Sequence, residues 1–129
     1  MITYGFKKMM AEANAVIDTV SVSDAQAKIN NDDVVFVDVR EKHERESNGY
    51  IVGSIHAPRG FLELIADPEG PMHNSEIVSG KHLILYCGTG GRSALAAKTL
   101  TDMGLSNISS MAGGYAAWLE IDGPVENQV

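Results

Sequence analysis

His82-Leu83-Ile84-Leu85-Tyr86-Cys87-Gly88-Thr89-Gly90-Gly91-Arg92-Ser93-Ala94-Leu95-Ala96-Ala97 changes character at its middle. Before Cys87 the run is apolar on consecutive positions, the mark of a strand buried on both faces of a parallel sheet. After Arg92, Ala94, Ala97 and Leu100 recur at helical spacing. Three glycines separate the halves, so the chain turns sharply between strand and helix. Working outward, Val34 to Val39 repeats the buried-strand pattern. Thr19 to Val22, Ser54 to Ala57 (stopped by Pro58) and Asn107 to Met111 supply three more strands, with His82 to Tyr86 the fourth in chain order. Helices are expected over Tyr4 to Asp18, from Ser23 as N-cap through Asn30, over Glu41 to Ser47, and over Phe61 to Ala66. Two more follow, Ser93 to Met103 with Gly104 just past its end and Tyr115 to Glu120. Asp67 to Gly80 is turn chemistry followed by a loop. Strands alternating with helices predict an α/β fold: a five-stranded, mostly parallel sheet with helices on both faces, plus an extra N-terminal helix. Residues 1–18 are the helix packing on the domain, 19–125 the domain and 126–129 a C-terminal tail.

The 129 residues suffice for one domain with a real core. The longest apolar runs fall well short of the roughly 20 residues that cross a bilayer. Glu12 and Asn14 interrupt any leader-like stretch, so the cytoplasm is the expected compartment and no membrane partner is expected. A net charge of −7 argues against nucleic acid as a partner. One cysteine makes no internal disulfide. His43, His56, His73 and His82 have no metal-ligand spacing, so no metal is expected.

Cys87 stands beyond the carboxyl end of a strand, where open α/β sheets bind their ligands. A cysteine nucleophile acts as its thiolate, and negative charge there needs stabilisation. Gly88, Gly90 and Gly91 permit a tight curl in which backbone N–H groups converge on an anion. Thr89 offers a hydroxyl, the following helix a dipole, and Arg92 a full positive charge. Asp38 and Arg40 fall at another strand's carboxyl end, and alternation sends them to one face as a structural pair beside the site. Arg59 follows Ala57-Pro58 at the end of a third strand and is a candidate for attracting anions at the rim. Trp118 is expected to anchor the last helix in the core.

Cys87-Gly88-Thr89-Gly90-Gly91-Arg92-Ser93 resembles the active-site loop of the rhodanese family, in which a cysteine and five further residues surround a persulfide. Asp38-Val39-Arg40-Glu41 is similar to the family's Asp-x-Arg-Glu. Gly49-Tyr50-Ile51-Val52-Gly53-Ser54-Ile55 resembles its Gly-His-Ile-Pro-Gly-Ala segment, with Tyr50, Val52 and Ser54 departing from it. Gly113-Gly114-Tyr115-Ala116-Ala117-Trp118 is similar to its closing Gly-Gly-aromatic-x-x-Trp. The matches run in order from about Thr19 to Val125. They imply a sulfurtransferase that loads sulfur on Cys87 from a donor such as thiosulfate. A thiophile, either cyanide or a small-molecule or protein thiol, then removes it, with no cofactor. Gly88, Thr89, Gly90, Gly91, Arg92 and Ser93 would hold the substrate.

Two other classes remain as alternatives. One is a sulfur-carrier or protein-binding module of the same fold. The other is a phosphatase or arsenate reductase, whose Cys-x-x-x-x-x-Arg loop places five residues between cysteine and arginine. Here four intervene between Cys87 and Arg92.

Overall fold

The protein is described by a computed structural model covering residues 1–127. Five parallel strands form the central sheet: β1 (Asp18–Val20), β2 (Val34–Asp38), β4 (Ile55–His56), β5 (His82–Tyr86) and β6 (Ile108–Met111), in the order β1-β6-β5-β2-β4. The central strands β2 and β5 pair from Val34↔His82 to Asp38↔Tyr86. Alternation along them sorts the core onto two faces. Val35, Val37, Leu83, Leu85 and Cys87 face α4 (Leu62–Ala66) and α5 (Gly91–Asp102). Phe36, Ile84 and Tyr86 face the other way, where α2 (Val22–Gln26) and α6 (Gly114–Glu120) bring Ala25, Tyr115 and Trp118. Trp118 is fully buried and tilts against Phe36, with 5.7 Å between ring centroids.

The N-terminal helix, α1 (Phe6–Val16), packs on α5 and so forms an outer layer over one face. Among the described residues no helix is long and apolar enough to cross a membrane.

Several local features differ from the sequence expectation. Ser21, not Ser23, caps α2, because its Oγ accepts the Asp24 N–H at 3.1 Å. That helix is also shorter, continuing as turns towards Asn30. The 67–80 loop contains a 3-10 turn at Ser75–Val78 that drives Ile77 into the core. A second, antiparallel pair joins β3 (Tyr50–Ile51) to β7 (Val125–Glu126). Glu126 is thus a strand residue, whereas tail residues 128 and 129 lie outside the described range. The helix α3 (Lys42–Asn48), polar throughout, nevertheless buries Arg45.

Candidate functional site

Cys87 is the first residue beyond β5, and only 1% of its surface is exposed. The chain after it curls back so that the Gly90 N–H donates to Sγ at 3.0 Å. Gly90 adopts φ +111°, a left-handed conformation that glycine takes without penalty, and α5 starts at the next residue. The thiol therefore sits at the N-terminal end of a 12-residue helix, where the dipole favours negative charge. Ser93 lies beneath the loop. Its hydroxyl donates to the Gly90 carbonyl at 3.1 Å, meets the Ser110 hydroxyl at 2.8 Å, and accepts from Cys87 Sγ at 3.6 Å. A hydroxyl has one proton, so while it serves Gly90 it can only accept from sulfur. When the thiol loses its proton, Ser93 can turn its own towards Sγ. Both serines are buried. Thr89 is exposed at the loop's tip.

Two backbone contacts from α6 fix the outer turn of the loop. Tyr115 N–H donates to the Cys87 carbonyl at 2.8 Å and Ala116 N–H to that of Gly88 at 3.1 Å. This approach explains Gly114. Gly113 and Gly114 both have positive φ, and a Cβ on Gly114 would stand 2.6 Å from the Cys87 carbonyl oxygen, whereas one on Gly113 would meet Ala117 within α6.

The Arg92 side chain turns to α3. Its guanidinium runs beside Gly88, where a Cβ would be 3.2 Å from Nη2, and grips Glu44 on α3. The grip is bidentate, with Nη1 to Oε2 at 2.8 Å and Nη2 to Oε1 at 3.0 Å. Glu44 also accepts the Glu41 N–H at 2.7 Å as half of a capping box. The Arg92 hydrogen bonds, partly opposed by burial, pull the Glu44 carboxyl down to about 2. The same partner raises Arg92.

Asp38 and Arg40 form the pair expected from strand alternation, at 2.8 Å. The fully buried Asp38 carboxylate additionally accepts from Arg45 at 3.1 Å and from the Tyr86 hydroxyl at 3.0 Å. Burial and the neighbouring Asp38 charge push the Tyr86 hydroxyl well above its ordinary value. Arg40 lies 4.2 Å from the Tyr115 ring centroid and donates to the Gly49 carbonyl. Two guanidinium groups share one carboxylate here, leaving a net positive charge under the site. Arg40, Glu44, Asn48, Gly88, Tyr115 and Leu119 line a cleft of about 410 Å³ beside the loop.

Arg59 makes other contacts. It bonds Glu63 and the Thr99 hydroxyl, and lines a separate cleft with Tyr4, Met9, Leu95 and Lys98. Three of the four histidines serve carbonyls and a hydroxyl: His56 meets the Arg40 carbonyl, His73 that of Ile65, and His82 the Ser109 hydroxyl. Sequence reading did not single out Glu44, Arg45 or Ser110. Glu44 escaped because the capping-box pattern has Ser, Thr, Asp or Asn at the N-cap, where this chain has Glu41.

Comparison with known proteins is decided by one match: the description of the Rhodanese-like domain fits residues 21–121. The chain belongs to the rhodanese-like domain family. The chloroplastic thiosulfate sulfurtransferase 16 of Arabidopsis thaliana is 31% identical over 113 residues, spanning 84% of this chain and 92% of its own. Among solved structures, the polysulfide-sulfur transferase homodimer of Wolinella succinogenes is 30% identical with a TM-score of 0.71, over 95% of this chain and 88% of that one. A Rhodopseudomonas palustris protein of unknown function, described as a possible tyrosine phosphatase, is 43% identical with a TM-score of 0.93, over 98% and 97%. Rhodanese-like relatives of this chain thus include named sulfurtransferases.

Proposed function

We propose that this rhodanese-like protein is a sulfurtransferase that carries sulfur as a Cys87 persulfide, with thiosulfate as one competent donor. The Cys87 thiolate attacks the outer sulfur of thiosulfate. A new S–S bond forms, the old one breaks, and sulfite departs with its electron pair. A thiophile such as cyanide or an external thiol then attacks the outer sulfur of the persulfide and restores the thiolate. Cys87 is the only cysteine, so sulfur leaves to an outside acceptor and not through an internal disulfide.

The observation that carries this reading is the loop closed on Sγ: Gly90 N–H at 3.0 Å, the α5 N-terminus behind it and the Ser93 hydroxyl below. Donors fixed in advance stabilise developing charge without reorganisation. The near-complete burial of Cys87 suits a donor that projects a bare terminal sulfur.

The phosphatase description of the Rhodopseudomonas neighbour supports a second reading. One feature weighs against it: only four residues separate Cys87 from Arg92, against five in the phosphatase loop. Intact mass after thiosulfate treatment distinguishes the two. Sulfur transfer adds about 32 Da, removable by cyanide and absent in Cys87→Ser, as covalent catalysis at one thiol requires. Hydrolysis of an aryl phosphate with no mass gain replaces this reading by the other.

A further inference from the structure

The Arg92–Glu44 pair has the geometry of an exchangeable contact. Arg92 is the one loop residue carrying a full charge, and its side chain is 43% exposed against 22% for Glu44. The carboxylate presents two oxygens in a plane, at 2.8 and 3.0 Å from the two guanidinium nitrogens. A sulfonate or sulfite group offers the same arrangement of oxygens to the same fork. Glu44 is fixed independently of Arg92, because the helix cap holds Oε2 on the Glu41 N–H at 2.7 Å. It therefore stays in position if Arg92 leaves. The arginine is long, rooted in the first turn of α5, and crosses Gly88 at the border of the cleft beside the loop.

We propose that Glu44 is a positioning residue that gates anionic sulfur donors: it competes with the donor's anionic end for Arg92, and after sulfur has moved it takes the guanidinium back from the departing anion. This rests on the sulfurtransferase reading for its donor, but the charge exchange itself does not depend on that reading. With Glu44 in place, a bulk anion must displace a tethered bidentate carboxylate, so only an anion whose sulfur also reaches Cys87 gains enough contact to do so. Uncharged acceptors do not meet this barrier. The same pull favours loss of sulfite once its bond to sulfur has broken.

The test uses the full-length protein and two alkylating agents that differ in charge, iodoacetate and iodoacetamide. Both consume the same Cys87 thiolate, so the ratio of their rates cancels the thiolate population and reads the charge that an incoming reagent meets. Glu44→Gln keeps an oxygen for the Glu41 N–H and loses the charge. It is expected to raise the iodoacetate:iodoacetamide ratio by about three- to five-fold, from one charge removed near the mouth at intermediate dielectric. Glu44→Asp, which retains the charge, should stay close to the parent. In an Arg92→Gln background the Glu44→Gln gain should fall to less than half, because no guanidinium is then released. The thiosulfate KM of Glu44→Gln should drop by a similar factor with kcat changed less than two-fold. An unchanged ratio in Glu44→Gln, or an equal gain with and without Arg92, overturns the proposal. Failure of all variants and the parent to take up sulfur overturns the sulfurtransferase reading instead, and the alkylation ratios still decide the gate.

Discussion

Gly114→Ala tests whether α6 positions the sulfur loop. A Cβ at Gly114 would lie 2.6 Å from the Cys87 carbonyl oxygen and 2.7 Å from the Gly88 carbonyl carbon and oxygen. Ordinary contact begins near 3.4 Å, so backbone must yield by about 0.8 Å. The displaced atoms are the acceptors of the Tyr115 and Ala116 N–H bonds, at 2.8 and 3.1 Å, and such a shift carries both beyond hydrogen-bond range. Losing two bonds at about 1 kcal/mol each, with about 1–2 kcal/mol for an alanine at φ +61°, gives a destabilisation of about 3–4 kcal/mol. Misplacement approaching 1 Å at a reacting centre costs on the order of 100-fold in rate.

Gly113→Ala is the matched control. It has a similar φ of +75°, but its Cβ meets the Ala117 side chain within α6, 2.6 Å away, and not the loop. Single-turnover sulfur loading from thiosulfate, followed by intact mass, is compared with urea denaturation for both variants at a temperature where both are folded. Gly114→Ala should lose about 30- to 100-fold in loading, and Gly113→Ala less than about five-fold despite its own loss of stability. Equal losses in the two variants, or loading by Gly114→Ala within about three-fold of the parent, would refute the positioning argument.

Two further outcomes follow from the charge clusters. Asp38→Asn keeps the shape of the side chain but leaves the buried Arg40 and Arg45 without their counter-charge, and should cost about 3–5 kcal/mol in urea unfolding at neutral pH. The folded-state Glu44 carboxyl is depressed from 4.5 to about 2, so its pairing with Arg92 stabilises the fold fully above pH 4.5. That contribution is lost as pH falls towards 2, and Glu44→Gln should show a flatter decline of stability across this window in unfolding measured at a series of pH values.

The parts of the fold legible in sequence are those whose burial shows in consecutive residues. Strands β2 and β5 lie at the centre of the sheet, so Val34–Asp38 and His82–Tyr86 are apolar on nearly every position and announce themselves. The β3–β7 pair cannot do so. Each strand is two residues long, and each exists only because a segment some 75 positions away lies beside it. The α2 cap was misplaced for a different reason. Ser21 and Ser23 both satisfy the local rule for a cap, and the choice falls to whichever serine finds a free N–H three residues on, here that of Asp24.

The same division runs through the site. The Cys87–Ser93 loop is local, so its glycines, its helix start and its charged end can be read in order. Its electrostatic state cannot, because that is set by residues remote in sequence. Arg92 reads as a cation aimed at an anion until α3 brings Glu44 to it across 48 positions. Ser93 reads as one more loop hydroxyl until Ser110 arrives from the adjacent strand, 17 positions on. Gly113 and Gly114 read only as part of a closing motif until α6 is seen donating to the Cys87 and Gly88 carbonyls. In each case the local motif specifies which groups are present, and the parallel sheet decides where they meet: β5, β6 and β2 all end on the same side, so the segments leaving those ends (the Cys87 loop, the Gly113-Gly114 turn and α3) converge there. Arg92 and Ser93 are each held by a partner from another segment, and for that reason Glu44 is a more informative position to change than any residue within the loop.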